Sequence, residues 1–229
     1  MVLVFDELTP DEVVIEVSLA EGSHLDVALL QENVKSRKSL RVEVNQKGNS
    51  CLSISIITIG CNNVTNDMDV QLVGEGADLR LLGLYLTDGG EKVTNRTIVT
   101  HQVGHCTTNQ LYKGALGGES QASFEGKIIV NPNAQKALAQ QTNRNILLSD
   151  KAKVHAEPQL EIYADDVKCS HGATTGQIDL SQLFYMQQRG IDEDSARRLL
   201  TAAYAAEVVN QIPIVDVREC LTKQLFGEI

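Results

Sequence analysis

The segments EGSHLDVALL (21–30), KGNSCLSISI (47–56) and EGADLRLLGL (75–84) repeat one pattern: a glycine turn, a small polar residue, then an alternating or β-branched apolar run. Their glycines, Gly22, Gly48 and Gly76, are spaced 26 and 28 residues apart. Alternation is the period of a strand, whose side chains point to opposite faces in turn. Around these copies lie further strand-like runs: VVIEVSLA, LRVEVNQ, MDVQLVG, RTIVTHQV, FEGKIIV, NRNILLS and PQLEIYA. The punctuation between runs is turn-like, as in TDGGE from 87, LGGES from 116, NPNA from 131 and SDKAK from 149. Many short strands at a loose period, with no helix between them, point to a stacked β-solenoid, although a β-sandwich gives similar local signals. Stacking of like positions suits Val, Ile, Leu and Asn, and Asn143 and Asn145 are candidates for such a ladder.

Composition fits repetitive strands. The chain has 229 residues, enough to bury a sizeable core, with 4% aromatic residues and no Trp. A formal charge of −10, with no Lys/Arg-rich run, lacks the electrostatic footprint of a nucleic-acid partner. No apolar run reaches the ~20 residues that span a bilayer, and MVLVFDELTPDEVV has no charged n-region ahead of an apolar stretch. Five cysteines, Cys51, Cys61, Cys106, Cys169 and Cys220, are an odd and widely spaced set. Reduced thiols in a soluble, cytoplasmic protein are therefore expected.

After Gly176–Asp179 the period changes to that of helices. DLSQLFYMQQRG offers Asp179 as N-cap and Gly190 as the stop, with Leu180, Leu183, Phe184 and Met186 or Gln187 along one side. A second helix begins with the acids of DEDSARRLL, carries Leu199, Leu200, Ala203, Ala206 and Val209, and ends at Pro213. A third, IVDVRECLTKQLF, would bury Val217, Cys220, Leu221 and Leu225. The expected organisation is a β core over 1–178 and a small helical domain over 179–229.

The chain has no GxxxxGK[ST] loop, no dinucleotide fingerprint in a strand-to-helix setting, no GxSxG elbow, no HExxH and no paired CxxC. A short set of Cys and His remains. Cys169 and His171, in DVKCSHGATTG, share a strand face roughly 7 Å apart. The apolar residues before them, Leu160, Ile162 and Ala164, occupy the other phase, so the phase slips near Asp165–Asp166, as at a corner or bulge. Spacing alone favours packing for this pair. If they bind metal, two residues cannot complete a tetrahedral site, and a second subunit is the natural source of further ligands. His101 and His105 are four apart, with Val99 and Val103 on their strand face and Cys106 opposite, which favours core histidines over a secondary metal site. His24 and His155 stand singly, and Cys51, Cys61 and Cys220 lie in apolar stretches where a free Cys acts as a small hydrophobe.

PQLEIYADDVKCSHGATTGQID (158–179) and LFYMQQRGIDEDSARRLLTAAYAAEVVNQIP (183–213) resemble the carboxy-terminal part of the SufB/SufD family of iron–sulfur cluster assembly proteins. HCTTNQLYKG, FEGKIIVNPNAQK and QTNRNILLSD are also similar to that family's core, so the likeness runs clearly from Thr87 to Pro213 and extends back to Glu12. B-type members tend to carry His-Glu-Ala-Thr where this chain has His171-Gly172-Ala173-Thr174, which favours the D-type, SufD-like group. The resemblance implies an all-β core, a right-handed parallel β-helix, with a helical C-terminal domain. It implies a non-catalytic scaffold that pairs with a SufB-like subunit and docks a SufC-like ABC ATPase on the terminal helices, through Phe184, Tyr185, Arg189, Arg197 and Tyr204. In this reading Cys169 and His171 are half of an interfacial site where an iron–sulfur cluster is built transiently, and any reduced flavin belongs to the assembled complex. Alone, the chain is expected to pair with itself as a homodimer. Family members carry a further N-terminal region, so Met1 reads as the start of a short form or of a fragment. A scaffold without metal ligation is the nearer rival function, and a β-helix carbohydrate enzyme the more distant one.

Overall fold

The computed structural model describes residues 1–227. In chain order they form β1 (Val2–Phe5), β2 (Glu12–Leu19), β3 (His24–Glu32), β4 (Arg37–Gln46), β5 (Cys51–Ile59), β6 (Asn63–Leu72), β7 (Asp78–Thr87), β8 (Lys92–His101), β9 (Thr107–Leu116), β10 (Gln121–Val130), β11 (Leu138–Leu147), β12 (Lys153–Ile162) and β13 (Lys168–Gln177), then α1 (Leu180–Gln188), α2 (Glu193–Val209) and α3 (Val215–Phe226). Odd-numbered strands make one sheet in the order β1-β3-β5-β7-β9-β11-β13, and even-numbered strands make the other, β2 to β12. Neighbours in both sheets pair in parallel. A sandwich built from hairpins would be antiparallel. The chain is therefore a parallel β-helix of about six coils, each contributing one strand to each sheet.

The coils are in strict register. His24, Cys51, Asp78, Thr107, Leu138 and Lys168 form one column, at spacings of 27, 27, 29, 31 and 30 residues. Two residues before each of the first five strand starts in this column, the backbone turns left-handed, at Gly22 (φ 69°), Asn49 (51°), Gly76 (72°), His105 (61°) and Lys136 (62°). The counterpart of Gly22 is thus Asn49, not Gly48. Asn, like Gly, visits this conformation readily.

Inside, most columns are aliphatic, for example Val27, Ile54 and Leu81. Amides occupy others and satisfy one another from coil to coil: Thr58 donates to Gln31 (2.7 Å), Gln31 to Asn66 (2.8 Å) and Asn66 to Asn95 (3.0 Å). The ladder expected at Asn143 and Asn145 takes another form. They bond to each other within one strand (2.7 Å), and both bond the hydroxyl of Tyr85, Asn143 as donor (3.0 Å) and Asn145 as acceptor (2.5 Å). Tyr85 lies in register with Gly114, and Tyr112 with Gly83. A Cβ on Gly83 would fall 2.1 Å from the Tyr112 ring, and one on Gly114 2.0 Å from the Tyr85 ring. Glycine on one coil thus makes room for an aromatic ring on the next.

The helices follow β13 and pack on the outer face of the seven-stranded sheet. Ala28, Ile57, Leu82, Leu84 and Leu111 of that face meet Ala205, Val208, Val209, Ile212, Val217 and Leu221. This covering leaves β5 buried on both faces at its centre, Ser53 and Ser55 included. The buried side of α2 differs from the expected one. It uses Ala196, Ala202, Ala205, Val208 and Val209, whereas Leu199 and Ala203 are exposed, because small side chains let the helix approach the leucine-rich sheet closely. Asp179 and Asp192 cap α1 and α2, accepting from Ser181 N and Ser195 N, and Gly190 ends α1 at φ 85°. Cys61 and Cys106 are buried as small hydrophobes, but Cys51 and Cys220 point outward, and all five cysteines are free. No helix of the described residues is long and apolar enough to cross a membrane.

Gly83→Ala is expected to lower unfolding free energy by about 2 kcal/mol through overpacking against Tyr112. Urea titration should show a lower midpoint with an unchanged slope.

Candidate functional site

Strand β13 closes the seven-stranded sheet and, among the described residues, pairs only with β11. The corner leading into it is fixed at Asp166. Its carboxylate pairs with Lys136, its carbonyl accepts from Lys136 N (2.6 Å), and its own N–H donates to the Gln135 side chain (2.9 Å). The bend at Asp165–Asp166 separates β12 from β13, so the phase slip in the sequence is a corner of the coil. The fresh strand lays Cys169 on Ala139 and His171 on Gln141. Ala139 and Gln141 face the interior, so Cys169 and His171 do too, at the open end where no further coil covers them. Cys169 is half-buried against the core, and His171 is exposed.

Burial raises the Cys169 thiol above its ordinary value, opposed by a hydrogen bond from the Ala139 backbone. The free thiol is therefore protonated near neutrality, and metal would have to displace the proton. Among the described residues no group of three or more His, Cys, Asp or Glu side chains is placed to hold a metal. Cys169 and His171 offer sulfur and nitrogen donors, a pairing suited to iron in sulfur-rich surroundings, but supply only two.

The second Cys/His group is dispersed. His101 ends β8 fully buried and shares a 2.9 Å hydrogen bond with Thr108, while its Nδ1 has no partner. Desolvation pushes its pKa down to about 4, so it is a neutral core histidine. His105 does not share its face. The strand ends at His101, and His105 is an exposed left-handed corner residue whose N–H donates to Gln135 O (2.9 Å). Cys106 is buried beside the Gly74 carbonyl. His24 and His155 are exposed beside Asp26 and Glu157.

On the helices, Leu180, Phe184 and Tyr185 of α1 form an exposed apolar face at 68%, 61% and 59% exposure. Arg189 lies against Tyr185, donating to its hydroxyl at 3.0 Å, and Arg197 pairs with Glu193 at 2.8 Å. Tyr204 sits in the helix–sheet contact, its ring capped at 3.6 Å by the Lys113 ammonium. That buried ammonium also donates to the Tyr204 carbonyl (2.7 Å) and to Glu207 (2.8 Å), and Arg144 adds a bond to Glu207 at 3.1 Å. The Lys113 hydrogen bond holds the Glu207 carboxyl below its ordinary value. This clamp of α2 onto β9 and β11 left no periodic signal in the sequence. Its one trace is a lysine between Tyr112 and Gly114, in a strand otherwise almost wholly buried.

The family model described as "SUF system FeS cluster assembly, SufBD core domain" matches residues 7–204. The chain belongs to the SufBD family. It is 35% identical over 197 residues to the iron–sulfur cluster assembly protein SufD of Escherichia coli, covering 86% of this chain and 47% of that relative. A SufBD family protein of Mycobacterium leprae is 35% identical over 181 residues, 76% of this chain and 46% of its own length. A chloroplastic protein of Arabidopsis thaliana is 32% identical over 218 residues, 93% of this chain and 46% of its own length. The chain spans about half the length of these curated relatives.

His101 gives this SufBD core a measurable pH signature. The unfolded chain takes up a proton near the ordinary value of 6.5, whereas the folded chain refuses it until about 4. Stability should therefore fall as pH drops from about 6.5 to about 4, by on the order of 3 kcal/mol. Urea unfolding across that window should show a shallower slope for His101→Gln.

Proposed function

We propose that this SufBD family chain is a SufD-type scaffold subunit for iron–sulfur cluster assembly, presenting Cys169 and His171 as half of a site that a second β-helix completes. The observation that carries this reading is their position. They lie side by side on the inward face of the last strand, at the one end of the β-helix where both β12 and β13 have an unpaired edge. An unpaired edge is a template for another strand, so the surface that recruits a partner also brings its ligands to the donors. The cluster is the cargo of the site. Thiolate and imidazole from this chain hold two of its coordination positions, and a SufB-like partner supplies the rest. Without that partner, a second copy of this chain meets the same edge.

The exposed face of α1, with Leu180, Phe184 and Tyr185 beside Arg189, is the docking surface for the ABC-type ATPase. The helices ride on the sheet that ends in β13. Motion of the ATPase can therefore reach the shared edge and separate the two halves.

A scaffold without ligation is the second reading, favoured by the raised thiol pKa of Cys169. His171→Ala in the assembled complex with the SufB-like subunit and ATPase separates the two. Iron and sulfide loading should fall at least tenfold with the complex intact, and unchanged loading would overturn the half-site.

Pairing has its own test. Lys168 N donates to Ala137 O, and direction alternates along a strand, so the Ala173 N–H points away from β11 to the free edge. Ala173→Pro removes that donor while sparing the β11 ladder. By analytical ultracentrifugation it should weaken pairing tenfold or more with unchanged circular dichroism.

A further inference from the structure

One buried side chain beneath the candidate site carries an unpartnered polar atom that packing does not explain. Gln141 on β11 is wholly buried and stands in register directly under His171, on the same inward face. In-register residues of neighbouring parallel strands lie about 4.8 Å apart. Its amide fills the niche left by Gly126, where a Cβ would fall 2.4 Å from the Gln141 nitrogen. In the structure that amide is bonded from below. Gln110 presents its Oε1 to the Thr97 hydroxyl (3.0 Å) and accepts from Gln141 Nε2 at 3.3 Å. With its NH2 committed to Gln110, Gln141 is left with a buried Oε1 that has no hydrogen-bond partner. Such an acceptor is rare in a close-packed interior and calls for a donor.

The geometry points to Gln141 as a positioning residue for His171: the exposed ring, which is not bonded to Gln141 in this structure, turns inward so that the unpartnered Oε1 accepts the N–H of one ring nitrogen, leaving the lone pair of the other directed out of the β-helix. A ligating histidine generally needs such a partner on its second nitrogen, which fixes tautomer and ring orientation and raises ligand basicity. Here the partner is built into the column: Gln110, one position below, bonds its amide, and Thr97 of the opposite sheet bonds Gln110. The inference rests on His171 being a ligand, as proposed above, and assigns the group that orients it.

The ring itself gives a readout that requires no iron. In the full chain labelled with 15N-histidine, long-range proton–nitrogen correlation reports which nitrogen of His171 carries the proton, with the resonance assigned by its loss in His171→Ala. Wild type should show one fixed tautomer. Gln141→Leu should shift the ring toward the mixture of a free imidazole, and Gln141→Glu, which keeps an acceptor, should restore the fixed form. Gly126→Ala, which displaces the amide without removing it, should reproduce the loss seen with Leu and covers the case in which Gln141→Leu does not fold. An identical His171 ring pattern in wild type and in the folded variants among Gln141→Leu and Gly126→Ala would overturn the contact. In the complex, Gln141→Leu should weaken iron loading 10- to 100-fold, the usual cost of removing such a partner. Loading that depends on His171 but not on Gln141 would overturn the positioning role alone. Loading indifferent to His171 would overturn the half-site, and the positioning role with it.

Discussion

Everything in this molecule depends on in-register parallel pairing. Each coil must lay its strand residue for residue on the one before, so a side chain inside the β-helix has neighbours fixed at one strand spacing above and below. That makes the interior a set of columns in which neighbours must suit each other in size and in hydrogen bonding. Gly83 makes way for Tyr112 and Gly114 for Tyr85, while Gln31, Asn66 and Asn95 hand amide bonds along the axis. The last coil inherits the rule without its satisfaction. Its inward residues have a neighbour beneath and none above, and Cys169 and His171 are among them.

The helices turn the outer face of the same sheet into a second contact layer. Ala205, Val208 and Val209 on α2 pack with Leu82, Leu84 and Leu111, and Lys113 and Arg144 converge on Glu207. Arg144 and Gln141 belong to the same strand, β11, one facing α2 and the other the interior. The helix face and the open end of the β-helix thus share one rigid element. The ion pairs are partly solvated and worth little singly, so the apolar contact carries most of the adhesion.

The architecture was legible because its period was written in turns and alternation. The strands that escaped notice did so for physical reasons. β1 is only four residues long, and β9 points Thr108 and Gln110 inward, so polar residues stand where alternation expects apolar ones. The same inward polarity hid the column under His171, since an amide is read as surface unless its neighbours are known. His105 was placed on a strand face because Val99, His101 and Val103 continue the rhythm through a stretch that the backbone turns at Gly104–His105. Size misled in α2, where leucines were assigned to the contact that alanines make. Spacing put Cys169 and His171 on one strand face, and the phase slip before them marked the corner.

The left-handed corners have a further consequence. From β6 to β13 every strand is ten residues long, yet the spacing from coil to coil still runs from 29 to 32 residues. All of that variation is absorbed between the strands, where a residue such as Asn49, His105 or Lys136 resets the direction of the chain before the next strand begins. The corners therefore act as expansion joints. Length can be gained or lost there one coil at a time while the columns stay in phase, whereas a single residue added inside a strand would turn half a column inside out. Such a fold can elaborate its rim and keep the geometry of its end strand unchanged.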